Sequence, residues 1–205
     1  MTVIVGIIDG NVVLMGADSA ATNESGNLTL QKNAKLFNLT IRSTKGKLYE
    51  MVVGYAGNFY VAQQIEFGFR PPVWNTEIDV RRYLIQYFVP ALKKVLAFDK
   101  KSEQQHVDTA SKEVFGGASF LIGFQKRLFI LEENGQVEEN LQPFAAIGCG
   151  AGGAIGAFHA LQQMQTMKTM TTWDVLDCAL VAAEQSCCFV KAPFHMSSCM
   201  STSIP

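Results

Sequence analysis

What this chain lacks sets the first limits on it. Its 205 residues carry 17 lysines and arginines against 18 aspartates and glutamates, for a net charge of −1, and the basic residues fall in short clusters such as Arg81-Arg82 and Lys93-Lys94. No basic face marks a nucleic-acid footprint. No run approaches about eighteen unbroken apolar residues, and the N-terminus has neither the charged start nor the small-residue cleavage site of a secretory signal. No membrane partner is expected, and the expected location is cytoplasmic. The cysteines, at 149, 178, 187, 188 and 199, are odd in number and form no Cys-x-x-Cys pair, which argues against a zinc site and against a disulfide framework. Neither metal nor cofactor is implied. Asn27-Leu28-Thr29 and Asn38-Leu39-Thr40 fit the glycosylation pattern but read as ordinary residues in the absence of a secretory route. There is no internal repeat and no low-complexity segment.

What is present is a 48% apolar chain of a length that suits one domain, 1–205, with a sizeable core. Strand-like runs come in blocks on either side of helix pairs, which predicts an α+β fold with helices on both outer faces of two sheets. The strand-like segments are 3–8, 11–17, 33–40, 47–53, 119–124, 127–131 and 145–147, with a closing strand at 187–192 that would turn one of Cys187 and Cys188 inward and the other outward. Helices are expected at 58–69, 77–99 with a kink at Pro90, 151–167 and 172–186. Residues 100–114 read as an exposed connection. Asp9-Gly10 between two β-branched runs is a strong hairpin signal, because both residues tolerate positive φ.

Thr2, directly behind Met1, is the most informative single residue. Removal of Met1 would leave a hydroxyl and a free α-amine on one residue. An α-amine titrates near about 7.7 to 8.0, so at neutral pH a sizeable share can take a proton, and a threonine paired with a terminal amine is a route to an activated hydroxyl. The hairpin register brings Asp18, at the end of the second strand, back beside Thr2. A carboxylate ending an apolar run needs a partner, and Lys35 is the candidate. A lysine there would disfavour further positive charge and depress the pKa of a neighbouring amine.

These motifs occur together. Thr2-Val3-Ile4-Val5-Gly6, then Gly16-Ala17-Asp18-Ser19-Ala20-Ala21-Thr22, Lys35-Leu36, Gly54-Tyr55-Ala56-Gly57 and Ala146-Ile147-Gly148-Cys149-Gly150 resemble the proteasome β-type subunits and their bacterial and phage homologues, from Thr2 to about residue 190. The resemblance implies an N-terminal nucleophile hydrolase with a four-layer αββα sandwich of two antiparallel sheets. It implies Thr2 as the nucleophile, Asp18 and Lys35 as its assistants, and the Gly57 amide as an oxyanion donor. Ser19, Ala21 and Thr22 would contact a substrate strand, and Tyr55 with Phe59 would line a specificity pocket. A Ser-Gly pair in the family stands where this chain has Cys149-Gly150, beside the threonine amine. The family's late Asp and Ser-Gly-Gly segment finds its nearest stretch at Glu184-Gln185-Ser186-Cys187. The implied partners are a peptide or unfolded protein substrate, further copies of the chain in a homo-oligomeric ring, and an ATP-dependent unfoldase. Two other readings fit the same sequence: a catalytically silent ring or scaffold protein of this fold, and an amidase or transpeptidase using Thr2.

Several features read as decoys. Gly148-Cys149-Gly150-Ala151-Gly152-Gly153 has the G-x-G-x-x-G spacing of a dinucleotide site, but it comes late, follows antiparallel hairpins, and has Lys168 about twenty positions on where an acid is needed. His106, His159 and His195 have no partner spacing. Met164, Met167 and Met170 read as a packing stripe or subunit contact.

Overall fold

The computed structural model describes residues 2–23, 25–100 and 115–204, so the connection expected at 100–114 lies, beyond Lys100, outside the described residues. Along the chain come β1 (Val3–Asp9), β2 (Val12–Ala17), β3 (Ala20–Thr22), β4 (Leu28–Leu30), β5 (Leu36–Arg42) and β6 (Leu48–Ala56). Then follow α1 (Phe59–Gly68), α2 (Val80–Tyr83), a π-helical turn (Leu84–Phe88) and α3 (Val89–Lys100). The remainder is β7 (Ser119–Phe124), β8 (Arg127–Leu131), β9 (Val137–Glu139), β10 (Phe144–Gly148), α4 (Ala151–Gln163), a 3₁₀ turn (Thr166–Lys168), α5 (Thr172–Ser186) and β11 (His195–Met200).

Two antiparallel sheets form the centre, one ordered β10-β1-β2-β11 and the other β5-β6-β7-β8-β9, while β3 and β4 make a separate ribbon. Residues of a strand alternate between faces, and β1 uses both. Ile4 packs inward with Met15, Val52 and Leu121 between the sheets. Val3, Val5 and Ile7 face outward onto Phe158 of α4 and Leu176, Ala179 and Leu180 of α5. That is why the N-terminal run is apolar without alternation. The second sheet turns Phe37, Val53, Tyr55 and Phe120 onto Val61 and Ile65 of α1, Tyr83, and the Leu84 and Phe88 pair. The layers are therefore helix, sheet, sheet, helix, as the sequence implied.

Five details differ from the sequence expectation. The first hairpin pairs Asp9 with Val12, so its loop is Gly10-Asn11 and not Asp9-Gly10. Only Gly10 of the two has positive φ, at 54°, the pattern of a type II′ turn. The second helix starts at Val80, because the Asp79 side chain accepts the Arg82 N–H and caps it. In place of a proline kink, the turn before Pro90 widens, and the Val89 N–H donates to the Leu84 carbonyl five residues back. Proline has no N–H for the usual bond, and a π-turn absorbs that loss.

The closing strand lies at His195–Met200, paired with β2, and not at 187–192. Cys187 instead ends α5, its N–H donating to the Ala183 carbonyl, and Val190 turns back onto Cys187. Pro193 cannot donate to a ladder, so pairing begins beyond it. The adjacent cysteines therefore occupy a turn and do not alternate across a strand. The methionine recurrence also fails to form one face, since α4 stops at Gln163 and Gln165 is left-handed with φ 57°. Met167 and Met170 pack on the outer core while Met164 is exposed.

Candidate active site

Three strand ends converge on one point. β1 begins immediately after Thr2, β2 ends immediately before Asp18, and Lys35 leads into β5 with its carbonyl accepting the Tyr55 N–H of β6. Thr2, Asp18 and Lys35 are respectively 1%, 0% and 1% exposed. The Thr2 hydroxyl donates to Asp18 Oδ1, and Lys35 Nζ donates to Thr2 Oγ1, to the Ala20 carbonyl and, at 2.7 Å, to Asp18 Oδ1. The hydroxyl is thus held between a carboxylate and an ammonium. Asp18 is further fixed by three backbone N–H groups: Val3 at 3.0 Å, Ala20 at 2.9 Å and Lys191 at 3.4 Å. Burial pulls the Lys35 ammonium below the usual lysine range and outweighs the opposing attraction of Asp18. The Phe59 ring lies 5.8 Å from Nζ.

Thr2 opens onto a cavity of about 460 Å³ that Gly57, Gly117, Ser119, Glu132, Glu133 and Cys149 also line. Gly57 has φ 96°, and a Cβ there would meet the Gly117 carbonyl oxygen at 2.0 Å, so the wall admits no larger residue. Cys149 directs its S–H to the Thr2 carbonyl at 3.3 Å, an oxygen that also accepts the Gly150 N–H. Burial, then the hydrogen bond and charge of Cys187, push the Cys149 thiol up from its ordinary range.

The other sequence candidates sit elsewhere. Tyr55, expected in a specificity pocket, faces the helix layer, edge-on to Phe59 at 5.4 Å, and does not line the cavity. Alternation along β6 explains this: Ala56 packs between the sheets and Tyr55 turns outward. Burial pushes the Tyr55 phenol up to about 12. Ser19 is buried, with its hydroxyl on the Pro193 carbonyl, its N–H on Lys191 and its carbonyl accepting Gln31. Ala21 pairs with Thr29 and Thr22 with Leu28 in the β3–β4 ribbon, and neither lines the cavity. Ser186 turns its hydroxyl onto the Ala182 carbonyl of its own helix, so the late segment brings no hydroxyl to Thr2.

The G-x-G-x-x-G run is used for close packing. A Cβ at Gly148 would meet the Thr2 carbonyl oxygen at 2.3 Å, and one at Gly153 would meet Ser186 Oγ at 2.1 Å. Sequence reasoning missed Lys191 and Pro193, which clasp Asp18 and Ser19. Both act through backbone groups, which leave no residue-type signal. Among the described residues, no group of three or more His, Cys, Asp or Glu side chains is placed to hold a metal ion.

Comparison with solved structures fixes the architecture. BPH of Thiobacillus denitrificans, solved in complex with epoxomicin, superposes with a TM-score of 0.65 at 15% identity over 98% of this chain and 100% of its own. This chain has the N-terminal nucleophile hydrolase fold of the proteasome-like β subunits. Eukaryotic HslV from Trypanosoma brucei matches at 0.60 and 18% identity, over 96% and 98% of the two chains. Anbu, the ancestral β-subunit, from Yersinia bercovieri matches at 0.65 and 16%, over 97% and 82%. At these identities the likeness is one of fold. No family model and no curated protein matches the chain. Within this fold, no helix among the described residues is long and apolar enough to cross a membrane.

Proposed function

We propose that this chain is the threonine peptidase subunit of a self-compartmentalised, proteasome-like particle, cutting peptide bonds with Thr2 once Met1 has been removed. The observation that carries this reading is the Thr2 hydroxyl, held between the Asp18 carboxylate and the Lys35 ammonium at the wall of a cavity that Gly57 also lines.

With Met1 gone, Thr2 Oγ1 attacks the substrate carbonyl carbon, and its own α-amine takes the proton directly or through one water. Lys35 favours negative charge on Oγ1, and Asp18 keeps Lys35 in place. The Gly57 N–H receives the oxyanion. Collapse of the tetrahedral intermediate returns the proton to the leaving amine, and water then releases the acyl group. The substrate lies extended along the ribbon strand that carries Ala21 and Thr22. Strand addition along β3 would supply main-chain hydrogen bonds that hold it.

Burial of such a site within a homo-oligomeric ring keeps folded proteins from it. The substrate is then an unfolded chain or peptide, delivered by an ATP-dependent unfoldase. An Anbu complex from Pseudomonas aeruginosa of the same fold is solved as a helical assembly, which favours self-association here.

Intact mass of the purified protein reports Met1 loss. Thr2→Ala then abolishes turnover of a fluorogenic peptide while leaving the particle assembled, and an epoxyketone adds once per mature chain. Unchanged turnover in Thr2→Ala rules the mechanism out. A retained Met1 with no adduct assigns the chain to a silent scaffold of the same fold. Transfer of the acyl group to an added amine in preference to water marks a transpeptidase.

A further inference from the structure

Cys149 and Cys187 are in contact. The Cys187 S–H donates to Cys149 Sγ at 3.5 Å, and the Cys149 S–H donates onward to the Thr2 carbonyl at 3.3 Å. The residues are 38 positions apart, one in the turn between β10 and α4 and the other just beyond α5. What brings them together is the close approach of the two helices. A Cβ at Gly150 would meet Val190 Cγ2 at 2.7 Å, and one at Gly153 would meet Ser186 Oγ at 2.1 Å and the Ala182 carbonyl oxygen at 3.0 Å, so no side chain fits between the two segments at these positions. Cys149 is exposed at the cavity wall and Cys187 is half-buried behind it. Cys199 is buried with its S–H on the Gly123 carbonyl.

We infer that Cys149 and Cys187 form a reversible disulfide on exposure to a hydroperoxide, making this dithiol an oxidative modification site at the wall of the Thr2 cavity. One thiolate attacks the peroxide, the O–O bond breaks, and the thiol becomes a sulfenic acid as the leaving oxygen takes a proton to give water or an alcohol. The second sulfur attacks the sulfenic sulfur, an S–S bond forms, and the hydroxyl leaves as water with the second thiol's proton. The peroxide gains two electrons, and each sulfur gives one. The sulfurs close from 3.5 Å to about 2 Å. A resolving thiol in contact captures the sulfenic acid before further oxidation. Burial raises the Cys149 pKa, so that residue rests as a thiol.

The disulfide removes the S–H that Cys149 gives to the Thr2 carbonyl and ties the end of α5 to the cavity wall. Its formation does not depend on what Thr2 does. Only its effect on turnover rests on the peptidase reading.

The folded protein is treated with hydrogen peroxide, alkylated, digested and analysed by mass spectrometry. The expected product is a peptide linking Cys149 to Cys187, with the intact chain two hydrogens lighter and restored by dithiothreitol. Cys187→Ser loses the link and Cys188→Ser keeps it. Recovery of Cys149 and Cys187 as free thiols or as separate sulfinic acids, at a dose that oxidises Cys188, overturns the proposal. So does a link from Cys149 to another cysteine. In the mature protein, peroxide causes a dithiothreitol-reversible loss of peptide turnover that Cys187→Ser does not undergo. Undiminished turnover with the link formed overturns the effect on the site, while absent turnover before and after counts against the peptidase reading and leaves the link standing.

Discussion

Lys35 Nζ lies 2.7 Å from Asp18 Oδ1, and both groups are sealed from water. Removing one member of such a pair leaves an uncompensated buried charge, at a cost of about 3–5 kcal/mol. The two single variants are unequal. Asp18→Asn leaves the ammonium with only neutral acceptors, the Ala20 carbonyl and Thr2 Oγ1. Lys35→Met leaves the carboxylate with three backbone N–H donors and the Thr2 hydroxyl. Urea unfolding is expected to place Asp18→Asn lowest, Lys35→Met above it, and the double variant well short of the sum. Additive losses would mean that the pair does not act as a unit.

That pairing was legible in the sequence because hairpin chemistry carries it. Asp9-Gly10 signals a turn, turn and strand lengths bring position 18 back to position 2, and a carboxylate after Gly16-Ala17 demands a cation. The loop residues were off by one and the convergence survived, because a strand end has only a small area to land on. Position 187–192 was misread because Cys, Phe and Val are strand formers locally, whereas the α5 terminus and Pro193 decide the path. The Lys191 N–H on Asp18 and the Pro193 carbonyl on Ser19 were invisible, being main-chain groups some 170 positions away. Tyr55 was misplaced for a third reason: motif position alone does not say which face of a strand a side chain takes.

The stability of the fold should respond to alkaline pH in two opposed ways. The Tyr55 phenol titrates at about 12 in the folded chain and near about 10 unfolded. Its contribution is therefore complete below about pH 10 and is lost as pH rises towards 12. Lys35 has the reverse sign. Its folded value lies below the unfolded value of about 10.4, so the unfolded chain binds more protons in that interval and stability rises with pH there. Urea midpoints across the alkaline range should fall less steeply in Tyr55→Phe above about pH 10. Lys35→Met should lose the rising limb below it.

Arg127 spans three elements. Its Nε and Nη2 hold the Glu139 carboxylate of β9, and Nη1 holds Asp79, the residue that caps α2, at 2.6 Å. Lysine keeps the charge but not the planar fork, so Arg127→Lys can satisfy one acid and not both. The groups are partly exposed and screened, and the expected loss is about 1 kcal/mol or less in thermal unfolding. A loss equal to that of Arg127→Ala would show that the fork geometry, and not the charge, holds the network.

Gly57 and Gly117 allow a controlled test of the cavity wall. Both have positive φ, 96° and 79°, where a side chain costs about 1–2 kcal/mol. A Cβ at Gly117 meets nothing within 4 Å, whereas one at Gly57 meets the Gly117 carbonyl oxygen at 2.0 Å. Gly117→Ala should therefore lose only the backbone strain and keep its turnover. Gly57→Ala must also push its backbone away from Gly117, which moves the N–H assigned to the oxyanion. Loss of one such donor lowers kcat about 100- to 1,000-fold. Measured at a temperature where both variants are folded by circular dichroism, Gly57→Ala should fall by that factor in kcat while Gly117→Ala stays near wild type. Equal kcat in the two variants would remove Gly57 from the chemistry and leave it a packing glycine.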